Sequence, residues 1–207
     1  MSRAYSVMQV LTTKYNKMEF TGDWQKVFGQ PELSGAWIFY GKSFNGKTTF
    51  VMQLCKYLTN FGKVAYNSLE EGQSETIKQA MLRVNMREVA RKIVLLDREP
   101  ISELKLRLSK KKSPKIIVID SLQYSRLTYP EYITLKEEFP NHLFIFISHA
   151  KGANPKGNTA ESIYYDASIK GRIEGYRVFV NSRYGSGGEA YMDIWPEKAQ
   201  EYWGVTA

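Results

Sequence analysis

Short uninterrupted apolar runs alternate along this chain with longer segments of helical period. Residues 36–40, 63–68, 92–96, 115–120 and 143–148 read as strands. The intervening pattern predicts helices over 48–61, 74–90, 101–108 and 129–138, the first of them stopped by Gly62. Strands without polar alternation must be buried on both faces. The pattern therefore predicts an α/β fold of three layers, with a mostly parallel central sheet between helices. The last third changes character. Segments 168–173, 176–183 and 189–195 are separated by Glu174-Gly175 and by residues 185–188, which predicts antiparallel hairpins at the C-terminal edge. Residues 1–34 read as an irregular or partly helical lead-in and a candidate subunit-contacting segment; residues 35–207 read as the core domain.

Composition narrows the function classes. The chain has 207 residues and is 43% hydrophobic, enough for one sizeable core. No stretch approaches the ~20 apolar residues of a membrane span, and the N-terminal residues lack the apolar core of a signal peptide. A cytoplasmic protein without membrane contact is the expectation. The single cysteine, Cys55, sits in an amphipathic helical pattern and reads as a small buried apolar residue. With His142 and His149 as the only histidines, a metal centre built by the protein alone is not expected. The formal net charge of +8 favours polyanionic partners, nucleic acid above all. The run Lys110–Lys112 by itself reads as a solvated loop.

The candidate chemistry begins at Gly41. Gly41, Lys42, Ser43, Phe44, Asn45, Gly46, Lys47 and Thr48 fit G-x-x-x-x-G-K-[ST] between a predicted strand and a predicted helix. Backbone amides of such a loop and the helix N-terminus face the phosphates of a nucleotide. Gly41, Ser43, Asn45, Gly46, Lys47, Thr48 and Thr49 are the candidate nucleotide-binding residues. Lys47 would neutralise the β- and γ-phosphate oxygens, and the Thr48 hydroxyl would ligate Mg²⁺. Asp120 ends an apolar strand, where a carboxylate emerges beside that loop and can hold the Mg²⁺ shell. Glu70 and Glu71 end the second strand. An acid there can orient and deprotonate an attacking water, and Glu70 is the candidate because two adjacent acids cannot both point inward from an extended segment. Ser148 and His149 end the fifth strand on the same edge, where His149 could sense the γ-phosphate.

Together the phosphate loop, Tyr-x-Ser-x-Glu-Glu at 66–71, Asp120-Ser-Leu-Gln123 and Asn181-Ser-Arg183-Tyr-Gly185 resemble the RecA-like ATPases, most of all their RadA (Sms) and DnaB branch. Thr21-Gly22 and Ser34-Gly35-Ala-Trp37 are similar to the segment that precedes the loop in those proteins. The resemblance covers roughly residues 20–195 and implies a RecA-like fold. It also implies ATP and Mg²⁺ as ligands, sites completed at subunit interfaces of a ring or filament, and action on single-stranded DNA in recombination, repair or replication. Glu70 falls at the catalytic glutamate of the family. Arg183 falls in an element that reaches a neighbour's nucleotide, which would make it an arginine finger in trans. Asn181 stands where the family has lysine. One cysteine cannot build RadA's zinc finger, and the length suits the motor core almost alone. Residues 150–165 fall where such proteins carry a DNA-contacting loop. Lys151, Lys156, Tyr164 and Tyr165 offer cations for phosphates and rings for bases there, with Gly152, Pro155 and Gly157 suggesting mobility. Two other readings stand beside this one. A nucleotide-gated DNA-binding or scaffold protein would hydrolyse little or nothing. A small-molecule kinase would carry an arginine-rich lid, which is not evident.

Overall fold

The computed structural model describes residues 4–185 and 188–204. Arg3 and the tip of the expected 185–188 turn, residues 186 and 187, lie outside them. The lead-in holds a capped helix α1 (Val7–Thr12), none of whose residues is buried, and α2 (Gly22–Phe28). The core then alternates β1 (Gly35–Gly41), α3 (Lys47–Leu58), β2 (Val64–Ser68), α4 (Glu75–Arg83), β3 (Ile93–Asp97), α5 (Ile101–Leu108) and β4 (Ile116–Asp120). After β4 come α6 (Leu122–Ser125), α7 (Tyr129–Glu138), β5 (Leu143–Lys151), β6 (Asn154–Pro155), α8 (Asn158–Asp166), β7 (Ile169–Glu174), β8 (Arg177–Ser182), β9 (Glu189–Asp193) and α9 (Pro196–Trp203).

Among the described residues the sheet has nine strands, in the order β3-β2-β4-β5-β1-β7-β8-β9 with β6 paired to β5. From β3 through β7 the strands are parallel; β8 and β9 are antiparallel. This is the mostly parallel, three-layer arrangement that the apolar runs predict. Alternate residues of one strand feed opposite cores. Trp37, Phe39, Ile145 and Val118 pack with α3 and α4, whereas Ile38, Phe144 and Ile117 pack with α5, α7 and α8. The lead-in enters the first core through Met18, Phe20, Val27 and Phe28. The Trp24 and Tyr57 rings stack at 4.8 Å, and the Tyr57 hydroxyl accepts from the Thr21 amide at 2.8 Å. Full burial of a ring such as Phe28 contributes about 2–3 kcal/mol.

Two expectations need correction. The helix expected over 74–90 ends at Arg83, because Asn85 takes a left-handed φ of 50° and a 3₁₀ turn, Met86–Val89, follows. Asparagine tolerates that conformation better than most residues, and it breaks the helical register. The segment expected as a mobile loop over 150–165 is a β5–β6 hairpin followed by α8. As expected, residues 168–173 open an antiparallel hairpin with β8. β7 pairs in parallel with β1 and antiparallel with β8, and so joins the two halves of the sheet.

Candidate functional site at the phosphate-loop edge

β1 delivers the chain to Gly41 at the C-terminal edge of the parallel strands. A Cβ on Gly41 would lie 2.3 Å from the Ile173 carbonyl oxygen, so glycine permits β7 to pair this closely. Gly46 caps α3 with φ 95°, a left-handed conformation that turns the loop back over the helix N-terminus. Lys47 then lies across the loop, its Nζ donating to the Lys42 carbonyl at 2.8 Å. Burial holds its ammonium below the usual lysine value, opposed by Asp120 and Glu70.

A cavity of about 390 Å³ opens here, lined by Ser43, Gly46, Lys47, Thr48 and Thr49 of the loop and helix and by Glu70, Asp120 and His149 of the neighbouring strand ends. Asp120 closes β4. The Tyr66 hydroxyl, buried on β2, donates to its carboxylate. Burial pushes Asp120 up to about 6; the Tyr66 bond and Lys47 oppose this, while Glu70 and Glu71 add to it. The same burial, with Asp120 alongside, raises the Tyr66 phenol well above its ordinary value. The amides of Leu69 and Glu70 donate to the Asp120 carbonyl at 2.6 and 3.2 Å, which ties the two strand ends together.

The adjacent acids diverge. Glu70 Oε2 lies 3.2 Å from His149 Nε2. Glu71 accepts from Thr76 and, at 3.4 Å, from Ser74 at the start of α4. His149 is held from behind by Gln123. The Gln123 Oε1 accepts from the His149 amide at 3.2 Å, while its Nε2 donates to Ser148 Oγ and to the Lys156 carbonyl, both at 2.8 Å. Hydrogen bonds thus run from the cavity through His149 and Gln123 to the hairpin that bears Lys156.

Not every candidate falls in the cavity. The Asn45 side chain accepts from the Gly175 amide at 2.8 Å and donates to the Ser43 carbonyl at 2.9 Å, so it fastens the loop to the β7–β8 turn. Gly41 and Asn45 line a separate cleft beside Arg172. Arg183 is exposed just past β8, whose end pairs with the start of β7; that is the sheet edge opposite its own phosphate loop. Lys151 and Lys156 are exposed on the hairpin, and Tyr164 and Tyr165 lie on α8. Tyr164 packs edge-on against Tyr40 at 5.7 Å, and Tyr165 keeps an exposed ring.

The cavity also contains residues that the sequence did not single out: Arg83, Tyr176, Trp195 and Lys198. Arg83 donates to Thr49 Oγ1 at 3.0 Å. The Tyr176 and Trp195 rings stand 6.3 Å apart, nearly perpendicular, and Lys198 lies over both at 5.3 and 4.9 Å. The available signal was an aromatic residue in each of two turns that face the phosphate-loop edge.

The residues present suit Mg²⁺. Magnesium binds protein through one or two carboxylates and completes its shell with phosphates and water. Asp120 is a carboxylate whose charge burial disfavours, and a cation beside it would restore that charge. Among the described residues there is no larger cluster of metal-binding side chains.

The fold, with this loop on the edge of a mostly parallel sheet, is that of the RecA-like P-loop ATPases. Solved structures of the same fold include the flagellar accessory protein FlaH from Methanocaldococcus jannaschii, with a TM-score of 0.62, 16% identity and coverage of 87% of this chain and 95% of that one. A KaiC-like protein from Pyrococcus horikoshii OT3 gives 0.61 at 18% identity, covering 86% and 93%. A further solved ATPase domain gives 0.55 at 16%, covering 80% and 83%. No family model matches the sequence, and no curated protein does.

Proposed function

We propose that the chain is an ATP-hydrolysing motor core that acts on single-stranded DNA as an oligomer. The observation that carries this reading is the convergence of Lys47, Thr48, Asp120, Glu70 and His149 on one cavity. The α3 N-terminus and Lys47 hold the phosphates. Thr48 and Asp120 hold Mg²⁺, which when bound neutralises phosphate charge. Glu70 orients the attacking water and takes its proton, and His149 fixes the Glu70 carboxylate. Tyr176 and Trp195 give the base two apolar surfaces, with Arg83 and Lys198 as nearby cations. Arg183 cannot serve its own site from the opposite edge and serves a neighbour's instead. Lys156, whose carbonyl accepts from Gln123 behind His149, and Lys151 on the same hairpin are the proposed DNA contacts. A part in recombination, repair or replication follows from the family resemblance.

The test is steady-state ATP hydrolysis with and without a single-stranded oligonucleotide over a range of salt. Turnover that rises with the oligonucleotide supports the reading; its absence throughout rejects DNA-dependent action. Asn181, which removes a cation from the Arg183 element, favours a second reading: a nucleotide-gated DNA-binding or scaffold protein with little hydrolysis. On that reading Glu70→Gln leaves assembly and DNA binding unchanged and has no turnover to abolish.

A further inference from the structure

The run Lys110–Lys112 does not stand alone in the fold. β2, β3 and β4 are adjacent and parallel, and Val64 pairs with both Ile93 and Ile116. The residues that precede these three are Lys63, Lys92 and Lys115. They form a row across consecutive strands in the order Lys92, Lys63, Lys115, each step about 5 Å. Arg91 adjoins Lys92, and Lys110–Lys112 belong to the loop that leads to Lys115. All of these cations are exposed.

The segments that carry them hold no countercharge of their own. The four segments that build this edge, 59–63, 89–92, 109–115 and 139–142, contain no Asp or Glu. Two carboxylates that border them are engaged elsewhere, Glu88 by Lys56 at 2.7 Å and Glu138 by Lys105 at 2.9 Å. Many of the other cations are paired, as Arg107 is with Glu99 and Arg177 with Asp193. Just before the next strand, β5, His142 lies 3.4 Å from the Lys115 ammonium. Burial, with that charge alongside, pushes its imidazole down to about 4, so it adds no further charge at neutral pH.

We propose that this edge, opposite the nucleotide cavity, is a second polyanion site, and that its occupant is the phosphate backbone of a nucleic acid bound without base readout. The charge is concentrated and linear, which suits duplex DNA with one phosphate per ~1.7 Å of axis. These segments expose no large apolar side chain to stack on bases or enter a bilayer. Binding is therefore Coulombic, and duplex is held at least as well as single strand. The site does not depend on hydrolysis at the other edge.

The experiment is fluorescence anisotropy of a labelled duplex with the full chain, from about 50 to 200 mM salt. Wild type is compared with Lys110→Ala/Lys111→Ala/Lys112→Ala and with Lys63→Ala/Lys92→Ala; thermal unfolding checks that each is folded. The first variant should lower the salt slope by about 3 and the second by about 2, uniformly across duplex sequences. Affinity near 100 mM salt should fall roughly tenfold or more. Wild type that fails to bind duplex, or slopes unchanged in the folded variants, overturns the proposal. So does tighter binding to phosphatidylserine-containing vesicles that the same variants abolish, which would make a lipid surface the occupant.

Discussion

The Nε2 of His149 lies 3.2 Å from Oε2 of Glu70, across the mouth of the phosphate-loop cavity. The contact joins the ends of β2 and β5, which β4 separates in the sheet. It leaves the second Glu70 oxygen available to a water. Replacing Glu70 with Gln keeps the shape and removes the proposed base. Turnover should fall by about 10²–10⁴ while the affinity for ATP stays within a few-fold. His149→Ala should cost less turnover, since it removes only the group that fixes Glu70. A Glu70→Gln enzyme that keeps wild-type turnover in a steady-state phosphate-release assay would exclude Glu70 as the base.

Asp120 gives the site a pH dependence. Its pKa of about 6 lies above the usual carboxylate value, because burial disfavours the charge. Between roughly pH 4 and 6 the folded chain therefore binds more protons at Asp120 than the unfolded chain does, and this group's contribution to stability falls as pH rises. Mg²⁺ needs the ionised form, so affinity for Mg·ATP should rise about tenfold per unit up to about pH 6 and then level. Tyr66→Phe removes the hydrogen bond that favours the carboxylate and should move that midpoint upward. Titration of Mg²⁺-dependent nucleotide binding against pH measures both. A flat profile from pH 5 to 8 would mean that Asp120 is not the metal-binding carboxylate.

The places of these two carboxylates were legible in the sequence because Asp120 ends an apolar run and Glu70 follows the second strand, and parallel strands buried on both faces leave such runs nearly uninterrupted. The same signal placed β1 to β5 and the mostly parallel sheet that they build. What escaped the sequence depends on tertiary closure. Asn45 fits the phosphate-loop motif, yet its side chain turns to the Gly175 amide, which no local pattern reveals. Arg83, Tyr176 and Trp195 come from α4, the β7–β8 turn and the end of β9, and they meet only when β8 and β9 fold against the parallel strands. Lys110–Lys112 looked like a solvated run because its companions Lys63, Lys92 and Lys115 are distant in sequence. Helix breaking at Asn85 was missed because the apolar period continues past it to Met86.

The Tyr176 and Trp195 rings should give the site its affinity for the base. Stacking of a base on an aromatic ring is worth about 1–3 kcal/mol. Trp195→Ala should therefore weaken ATP about tenfold or more, and inorganic tripolyphosphate hardly at all. Competition binding with the two ligands separates base recognition from phosphate recognition. An equal loss for both would place the effect of Trp195 on the loop rather than on the base.

Arg183 is tested by mixing. It is exposed beyond β8, on the edge away from its own phosphate loop, and its amide donates to the Ser168 carbonyl at 3.0 Å. An arginine finger in trans is worth about 10³–10⁵ in turnover, and the loss of a companion cation at Asn181 argues for the lower end. Arg183→Ala alone should be nearly inactive yet bind ATP, and Glu70→Gln alone should be inactive as well. A mixed oligomer contains interfaces in which an intact Glu70 site from one subunit meets an intact Arg183 from its neighbour. Those interfaces should hydrolyse ATP on the proposed reading, so the mixture should regain turnover that neither variant has. Full activity of Arg183→Ala alone, or no recovery in a mixture shown by mass to co-assemble, would remove Arg183 from the catalytic machinery.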